Sequence, residues 1–530
     1  DNVHLIITSD VFQSNDSVGF NQLFYGNTTI GNGFSSSVSV NTDKDSKEVR
    51  VRALVSGHDH YGDQAPAATQ AVLHIGDNAS LQVLAKVDST PNSQEVSLHG
   101  AFLSSTNFSF RNRLHVEVDQ IGANNNQKTE DVNKHSNVCG IFTRRGKGEI
   151  GDGLSSILDV KNSSIDAIEG MSISGWRQTK GKTEDNTDSS IISLGSSSKN
   201  KITVENSYAN MIRGISLDSN SHLQMKEHGD VSVQQNGGDS QTLTGILLMD
   251  KSKMNVGSQG NVSLVQSGGK TEQMVGVLLD DQSFAEMAQN ETISIVQNGG
   301  QSQIIYGIYS NGSTFTASDG MRTELSLKGD GINNYNCGIG LYNHIKSSMT
   351  VGNNNRVVVS SHNTGTNSFG GTARGIQNAL SNAQFGNNLS IQVQAVNYKV
   401  AEGIRNSGVD ATPAKMTIGD NLSVDVKASS LIGDGAPTVE GIRNGTNHVP
   451  GYTFTDGKNT ILTVGKNAHI SVTAPDKVKD VSALHSFNHA NAEIGDGAVF
   501  MVNSNAKNSK ESIINNVVKT DDAGHVNFDG

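Results

Sequence analysis

Three copies of one motif decide the fold: QNGGDSQTLTGIL at 235–247, QSGGKTEQMVGVL at 266–278 and QNGGQSQIIYGIY at 297–309. Each copy starts 31 residues after the one before it. Self-similarity at a period of about 20–50 residues is typical of solenoids, propellers and repeat arrays. One such repeat cannot bury its apolar face alone, so the chain must supply a like neighbour on each side.

A glycine followed by an aliphatic residue, here called the anchor, extends the pattern in both directions. Four steps of 31 residues join the anchors at Gly214, Gly245, Gly276, Gly307 and Gly338. The anchor returns at Gly375-Ile376, Gly403-Ile404 and Gly441-Ile442, and looser versions occur at Gly100-Ala101, Gly140-Ile141 and Gly170-Met171. We expect one buried apolar column formed by Ile246, Val277, Ile308, Ile339, Ile376, Ile404 and Ile442.

A second motif joins a polar turn to an alternating segment, as in IGDNASLQVLA at 75–85, FGNNLSIQVQA at 385–395 and IGDNLSVDVKA at 418–428. Gly, Asn and Asp tolerate positive φ and favour turns. The following residues alternate apolar and polar with period two, which indicates a strand. The repeats GIQN at 375–378 and GIRN at 403–406 and 441–444 predict asparagines that hydrogen-bond along a column.

The sequence therefore predicts an all-β protein, a right-handed parallel β-helix (β-solenoid) with roughly 14–16 coils of about 31 residues. The repeats are typical neither of helices nor of four-stranded propeller blades. Residues 1–20 are predicted to be an N-terminal cap or a frayed segment, 21–506 the β-helix, and 507–530 the C-terminal tail of an excised segment.

Composition excludes two classes of partner. Among the 530 residues the net charge is -12, without a basic cluster of the kind that nucleic-acid binding requires. No stretch has the roughly 20 apolar residues of a membrane-spanning helix. Because the chain starts at DNVHLIIT without an initiator Met, we expect a mature or excised segment.

Both cysteines directly precede a glycine, Cys139 before Gly140 and Cys337 before Gly338. We therefore expect them at the same site of the repeat, several coils apart, as buried free thiols rather than a disulfide.

Residues before some anchors vary most in length and charge, and such loops on a rigid scaffold often carry recognition. Candidate ligand or self-association residues lie in the segments 123–137 and 177–190, and in the two GIRN motifs, where stacked arginines are predicted to project outward. They are Asn124, Lys128, Glu130, Asp131, Lys134, Lys180, Lys182, Glu184, Asp185, Arg405 and Arg443.

We expect no catalytic activity, no cofactor and no metal. Carboxylates are scattered rather than paired as glycoside cleavage requires, and Trp176 is the only tryptophan available as a sugar platform. The GGDSQ segment at 237–241 is predicted to be a repeated turn, and HDHYGD at 58–63 a solvated loop rather than a metal site. A polysaccharide-degrading β-helix enzyme is the less favoured alternative.

The recurrent IGDN, IGDG, VGNN and VGKN turns, their following strands and the GI anchors resemble the passenger domains of type V (classical) autotransporters. Without a GDSGSP-type loop, the chain is most similar to the self-associating adhesins among them. The resemblance implies a virulence-associated protein displayed on the outer membrane of a Gram-negative bacterium, where homotypic contacts drive cell–cell aggregation and biofilm formation. The alternative that it implies is an adhesin whose corner loops bind a host receptor, glycan or matrix protein.

Overall fold

The structure is a computed structural model of the chain. It describes residues 2–11, 15–22, 26–42, 48–57, 71–87, 95–122, 136–175, 189–331, 337–364, 371–409, 412–431, 438–445, 459–475, 478, 480–504, 514–521 and 524–528. Two compact units are distinguished, residues 1–271 and 272–530. The predicted all-β class is confirmed, since the described residues form strands and turns and no helix. Accordingly, no helix long and apolar enough to cross a bilayer occurs in these ranges.

The first unit consists of short strands in succession. In chain order they are β1 (His4–Val11), β2 (Asn15–Gln22), β3 (Asn27–Ile30), β4 (Ser35–Thr42), β5 (Glu48–Gly57), β6 (Ala71–Ile75), β7 (Ser80–Val87), β8 (Glu95–Ser104), β9 (Thr106–Phe110), β10 (His115–Gly122), β11 (Asn137–Arg144), β12 (Lys147–Ile150), β13 (Ser155–Lys161), β14 (Ser164–Ser174), β15 (Ile191–Leu194), β16 (Lys199–Glu205), β17 (Tyr208–Asp218), β18 (His222–Met225), β19 (Asp230–Asn236), β20 (Asp239–Leu248), β21 (Lys253–Val256) and β22 (Asn261–Ser267).

The second unit continues the same pattern, and the boundary at 271/272 falls within β23 (Lys270–Leu279). The other strands are β24 (Phe284–Met287), β25 (Thr292–Asn311), β26 (Thr314–Ala317), β27 (Arg322–Gly331), β28 (Cys337–His344), β29 (Ser348–Val351), β30 (Arg356–Asn363), β31 (Thr372–Ala379), β32 (Asn382–Phe385), β33 (Ser390–Tyr398), β34 (Val400–Ser407), β35 (Lys415–Ile418), β36 (Ser423–Leu431), β37 (Thr438–Asn444), β38 (Ile461–Val464), β39 (His469–Ala474), β40 (Asp480–Phe487), β41 (Asn491–Ile494), β42 (Val499–Ser504), β43 (Ile514–Asp521) and β44 (His525–Phe528).

Strand pairing is parallel and follows one rule in each unit. In the first unit each strand pairs with the third strand after it, as β13 with β16 and β16 with β19. In the second unit the same rule holds from β26 onward, as β31 with β34 and β34 with β37. Every third strand, such as β29 or β32, has only four or five residues and pairs only with other strands of this short class. The 31-residue motif is therefore a unit of three strands, each stacked on its counterpart in the next copy.

The Gln-x-Gly-Gly turn explains why the opening motif repeats so closely. Gly238 has φ +72, and a Cβ there would lie 2.0 Å from the Ser207 carbonyl oxygen, so only glycine fits. Buried Gln235 donates to the Gly238 carbonyl at 3.1 Å and accepts hydrogen bonds from Ser240 and Thr271. The glutamine, the glycine pair and the hydroxyl five residues after the glutamine thus form one buried, hydrogen-bonded corner.

The apolar column predicted at the anchors is present, with one error in register. In the second unit, Ile308 pairs with Leu341, not with Ile339. The true anchor is Gly340-Leu341, 33 residues after Gly307-Ile308, and Ile339 lies opposite Tyr306 instead. The buried column is Ile308, Leu341, Ile376, Ile404, Ile442 and Leu484.

In the first unit the loosely matching anchors are confirmed in register. Ala101 pairs with Ile141, Ile141 with Met171, and Met171 with Ile215, which in turn pairs with Ile246. The column also extends to Phe20 and Leu54, which the sequence pattern missed because Ala53 replaces the glycine before Leu54. Full burial of a side chain of this size contributes about 1.5–3 kcal/mol, so the column is a principal source of stability.

The predicted asparagine column is also confirmed. Asn378 Nδ2 donates to Asn406 Oδ1 at 2.9 Å, and Asn406 Nδ2 donates to Asn444 Oδ1 at 3.0 Å. Asn406 also donates to the Ile461 carbonyl at 2.9 Å, which ties the end of β34 to β38. All three side chains are buried, and the column begins one strand earlier at Asn343. Each amide thus satisfies backbone and side-chain groups that the bend would otherwise leave unpaired.

The polar turns carry a second ladder on the surface. Asp77 Oδ1 accepts the backbone N–H of Asn112 at 3.0 Å, and Asn112 Oδ1 accepts that of Asp152 at 3.1 Å. Asn353 and Asn387 repeat the arrangement in the second unit. These oxygens hold successive turns together, and the predicted polar turns are present.

Both cysteines are buried free thiols, as predicted, but their sites in the repeat differ. Cys139 directly precedes its anchor glycine, whereas Cys337 lies three residues before Gly340. The prediction of equivalent sites was wrong because it used Gly338 as the anchor.

Candidate functional site

Two columns of side chains flank the anchor glycines on the outward side of the second unit. We call them together the anchor stripe. One column holds the residue before each glycine and the other the residue two positions after it. The first is Tyr306, Ile339, Arg374, Glu402, Glu440 and Ser482; the second is Tyr309, Tyr342, Gln377, Arg405, Arg443 and His485. Parallel register places consecutive members about 4.8 Å apart.

Glu402 is the centre of the first ionic group. It is 1% exposed and forms an ion pair with Arg374, which also donates to Gln377. Arg405 lies on the same strand, and its guanidinium is 3.9 Å from the Glu402 carboxylate, beyond hydrogen-bond distance. A buried carboxylate requires such compensation, because an isolated charge out of water is strongly unfavourable.

Glu440 is the centre of a second group, one strand further along. Its fully buried carboxylate accepts from Arg443 at 2.9 Å and contacts His485 Nδ1 at 2.7 Å. The guanidinium of Arg443 also lies 4.7 Å above the ring of Phe487. Lys519 pairs with Asp480 beside this group at 3.2 Å.

Electrostatics of the stripe follow from these pairs. Burial alone would raise the pKa of Glu402, but nearby guanidinium groups, that of Arg374 foremost, hold this pKa below its usual value. Burial lowers the pKa of Arg405 to about 10, and the positive charges of Arg374 and Arg443 contribute to this lowering. Glu402 therefore stays ionised near neutral pH, and Arg405 is in a crowded cationic setting.

Glu440, Asp480 and His485 also form a group whose potential metal-ligating atoms lie within 4.8 Å of one another. The sequence offered no hint of it, because the three come together only through the pairing of β37 with β40. Arg443 and Lys519 already supply positive charge to its carboxylates. The arrangement is thus a charge-compensated ion-pair group, which the structure explains without a metal.

An aromatic cluster occupies the same stripe three strands before Arg443. The ring of Tyr342 lies 5.3 Å from Tyr306, 5.1 Å from Tyr309 and 5.0 Å from His344. The hydroxyl of Tyr309 hydrogen-bonds His344 Nδ1 at 3.2 Å. Tyr306 is nearly buried, whereas Tyr309, Tyr342 and His344 are half-buried and reach solvent. The cluster is therefore a surface feature with an amphipathic rim.

In the first unit the column before the anchor position is likewise largely buried. Arg52, His99 and Cys139 occupy the column before the glycine, followed by Glu169 and Arg213, which form an ion pair at 3.2 Å. Arg52, His99 and Cys139 are at most 2% exposed. They belong to the packed interior rather than to an accessible site.

His99 makes the first unit sensitive to acid. Burial, reinforced by Arg52, lowers the pKa of His99 well below its usual value, so folding keeps the ring neutral. Below about pH 6.5 the histidine becomes protonated in the unfolded chain but stays neutral in the folded chain. The free energy of unfolding therefore decreases as the pH is lowered. We expect the first unit to lose up to about 2 kcal/mol of unfolding free energy between pH 7 and pH 5 from this residue.

Urea unfolding at pH 7 and at pH 5 checks this expectation, with amide hydrogen exchange in the first unit as the readout. The His99→Gln variant should lose this part of the pH dependence, while His115→Gln, at a position about one-third exposed, should retain it. An unchanged slope in His99→Gln would contradict the assignment.

The structure places only part of the predicted site. Asn124, Lys128, Glu130, Asp131, Lys134, Lys180, Lys182, Glu184 and Asp185, and the HDHYGD segment, lie outside the described residues. Arg405 and Arg443 pair in register as predicted, but they are only 20% and 12% exposed and contact acidic side chains. The two arginines thus lie on the outward side of the sheet, but they are mostly buried beside Glu402 and Glu440 rather than freely solvated, and only Arg443 hydrogen-bonds its glutamate directly.

Sequence reasoning missed the tyrosine cluster and the acidic partners of the arginines. The repeated EGIRN of 402–406 and 440–444 could have indicated the latter, because a glutamate precedes each arginine by three residues. Comparisons of the chain with protein-family models, with curated proteins and with solved structures find no match.

Proposed function

We propose that the chain is a right-handed parallel β-helix that acts as a self-associating adhesin of the autotransporter-passenger type. The pairing rule supports the coil, because a strand that pairs with its third successor returns to the same column once per turn. The described residues contain fifteen short strands, seven in the first unit and eight in the second, which agrees with roughly 14–16 coils. The right-handed sense follows the strong preference of parallel crossover connections.

One observation carries the adhesive function: an almost uncharged, largely polar face formed by the four-residue strands of the second unit. Outward residues of the four-residue strands stack in register, and from β26 to β38 only Lys415 is charged. One column is Thr316, Thr350, Gln384, Thr417 and Thr463. Because these strands are parallel and in register, the residues that carry the side-chain donors and acceptors recur at a spacing of about 4.8 Å.

Such a face lets two copies meet despite the net charge of -12. Each new hydrogen bond contributes only about 1 kcal/mol or less, because water is displaced. Many regularly spaced contacts add through multivalency once the first is made. Displayed on the outer membrane of a Gram-negative cell, these faces would join neighbouring cells, which accounts for aggregation and biofilm formation.

The test is a clumping assay on cells that display the chain, combined with sedimentation of the purified protein. The double variant Thr350→Glu/Thr417→Glu places two carboxylates on the neutral face, where they would meet their copies on the partner. We expect clumping to fall at least tenfold, with the loss partly reversed at high salt.

The matched control is Ser326→Glu/Gln394→Glu. These residues are also exposed and also lie two strands apart, on the other outward face, formed by β27, β30 and β33. The control should clump like the parent chain. Equal loss in both variants would show that added charge, not this face, controls association; no clumping of the parent would refute the function.

A further inference from the structure

The tyrosine cluster and the arginines of the anchor stripe lie along one line of the sheet. Tyr342 pairs with Gln377, and Gln377 pairs with Arg405, so Tyr342 and Arg405 are two strands apart. That separation is about 10 Å. Gln377 between them is half-buried and receives a hydrogen bond from Arg374. Aromatic, amide and cationic groups therefore follow one another on a single outward face.

The aromatic end is unusual for this chain, in which aromatic residues make up 5% of the sequence. Three tyrosines and a histidine gather on two paired strands, with ring centroids 5.0–6.0 Å apart. Tyr342 makes no hydrogen bond through its hydroxyl within the described ranges, and that hydroxyl is not fully buried. Half-exposed rings with polar edges suit a ligand that has both apolar and hydroxylated surfaces.

The cationic end contains a guanidinium group, that of Arg405, which no carboxylate hydrogen-bonds directly among the described residues. Three arginines of the stripe, Arg374, Arg405 and Arg443, lie beside the carboxylates of Glu402 and Glu440, and the charge of Asp480 also acts on Arg443. Arg374 and Arg443 hydrogen-bond those carboxylates directly, but Arg405 does not. The Nε of Arg405 is buried and has no hydrogen-bond partner among the described residues. A guanidinium with free donors prefers a planar carboxylate, which it binds with two parallel hydrogen bonds.

We propose that Tyr309, Tyr342 and Arg405 form a binding site for an acidic oligosaccharide, a glycan that carries a carboxylate-bearing sugar. The apolar face of one sugar ring packs on the tyrosines, the Tyr342 hydroxyl and Gln377 contact its hydroxyl groups, and the carboxylate of the next sugar binds Arg405. The two-strand separation matches the length of a disaccharide. This site lies on the anchor strands, apart from the neutral face of the four-residue strands, so it adds a ligand to the self-association proposed above.

The alternative occupant, an acidic peptide, is less suited to this surface. A peptide would satisfy Arg405 equally well but would leave the tyrosine rings without a flat apolar partner. The rings are held by contacts with one another and with His344, so they present a preorganised platform rather than mobile side chains.

Binding is measured by isothermal titration of the purified chain with a trigalacturonate, with sialyllactose, and with their neutral counterparts galactotriose and lactose. The first two probes distinguish uronic from sialic acids, and triglutamate tests the peptide alternative. We expect at least one acidic sugar to bind tenfold or more tightly than its neutral counterpart. Equal binding of acidic and neutral sugars, absence of binding, or equally tight binding of triglutamate would overturn the proposal.

Three variants locate the site. Arg405→Gln should lower the affinity for the acidic sugar to that of the neutral one, and Tyr309→Ala should weaken both at least fivefold. Lys415→Gln, an exposed cation on the short-strand face, should change neither. Thermal unfolding identifies a variant that fails to fold, and Tyr342→Phe, which keeps the ring and removes only the hydroxyl, then serves instead. Clumping should be unchanged in Arg405→Gln, so this proposal and the self-association proposal fail separately.

Discussion

A single added methyl group at Gly403 is expected to disrupt the second unit. The Cβ of Gly403→Ala would lie 2.3 Å from Val424 Cγ1 and 2.5 Å from the Gly441 carbonyl oxygen. Neither neighbour has room to withdraw, since Val424 is fully buried and Gly441 belongs to a paired strand. Overpacking of this kind costs about 1–3 kcal/mol or more. We expect the upper end of that range in a urea unfolding experiment on the second unit.

The matched control is Gly312→Asn. A Cβ at Gly312 would have no atom within 4 Å, and its φ of +60 is one that asparagine tolerates. This variant should change the unfolding free energy by less than about 1 kcal/mol. If Gly403→Ala proved as mild as the control, the close packing of successive anchors would be refuted.

Asn406→Asp is expected to be the most damaging isosteric change, and the damage should depend on pH. The new carboxylate would have to lie against the Asn444 Oδ1 and the Ile461 carbonyl, both of which now accept hydrogen bonds from Asn406. A buried carboxylate that faces acceptors costs about 3 kcal/mol or more when ionised. Its pKa should rise in the folded state, so stability should recover as pH falls from 8 toward 4.

Thermal unfolding across that pH range provides the measurement. Asn388→Asp changes an exposed asparagine of the turn ladder, whose amide donates to Asn354 at 2.8 Å, and should be mild at every pH. A pH-independent loss in Asn406→Asp would contradict the buried column.

Much of the fold was predictable because its information is local and repeated. The glycine of each anchor is required by close approach to the next strand, so Gly375, Gly403 and Gly441 are visible as a recurring glycine–isoleucine step. An asparagine also recurs two residues after each anchor isoleucine. Its side-chain amide donates to a backbone carbonyl beyond the bend, and this hydrogen bond ties the bend to the strand that follows.

The strand register near Gly338 was less predictable because two glycines, Gly338 and Gly340, could each be the anchor. The segment Cys337-Gly338-Ile339-Gly340-Leu341 contains two glycine–aliphatic steps, and the regular 31-residue spacing favoured the wrong one. The packing of Gly340 against Val357 and the Gly375 carbonyl decides the matter, and these contacts are not visible in the sequence.

The candidate site was the hardest part to predict because it depends on pairing between strands. Arg374 meets Glu402 across 28 residues, and Glu440 meets His485 across 45. Charge alone indicated exposed arginines, whereas Arg405 and Arg443 lie beside a buried glutamate of their own strand and are mostly buried. The tyrosine cluster was missed for the same reason, since the corrected register is what places Tyr309 opposite Tyr342.

In the second unit, corresponding strands of successive repeats stack in register, and every site described above depends on this stacking. Spin labels at position 350, paired in turn with position 417, 463 or 493 on the short-strand face, test it through electron paramagnetic resonance distances. Register predicts separations of two, three and four strands, or about 10, 14 and 19 Å between the backbones. An even increase with strand number, independent of the unequal lengths of intervening chain, is the expected result. Distances that follow chain length, or that show no regular step, would contradict the stacked fold and the sites built on it.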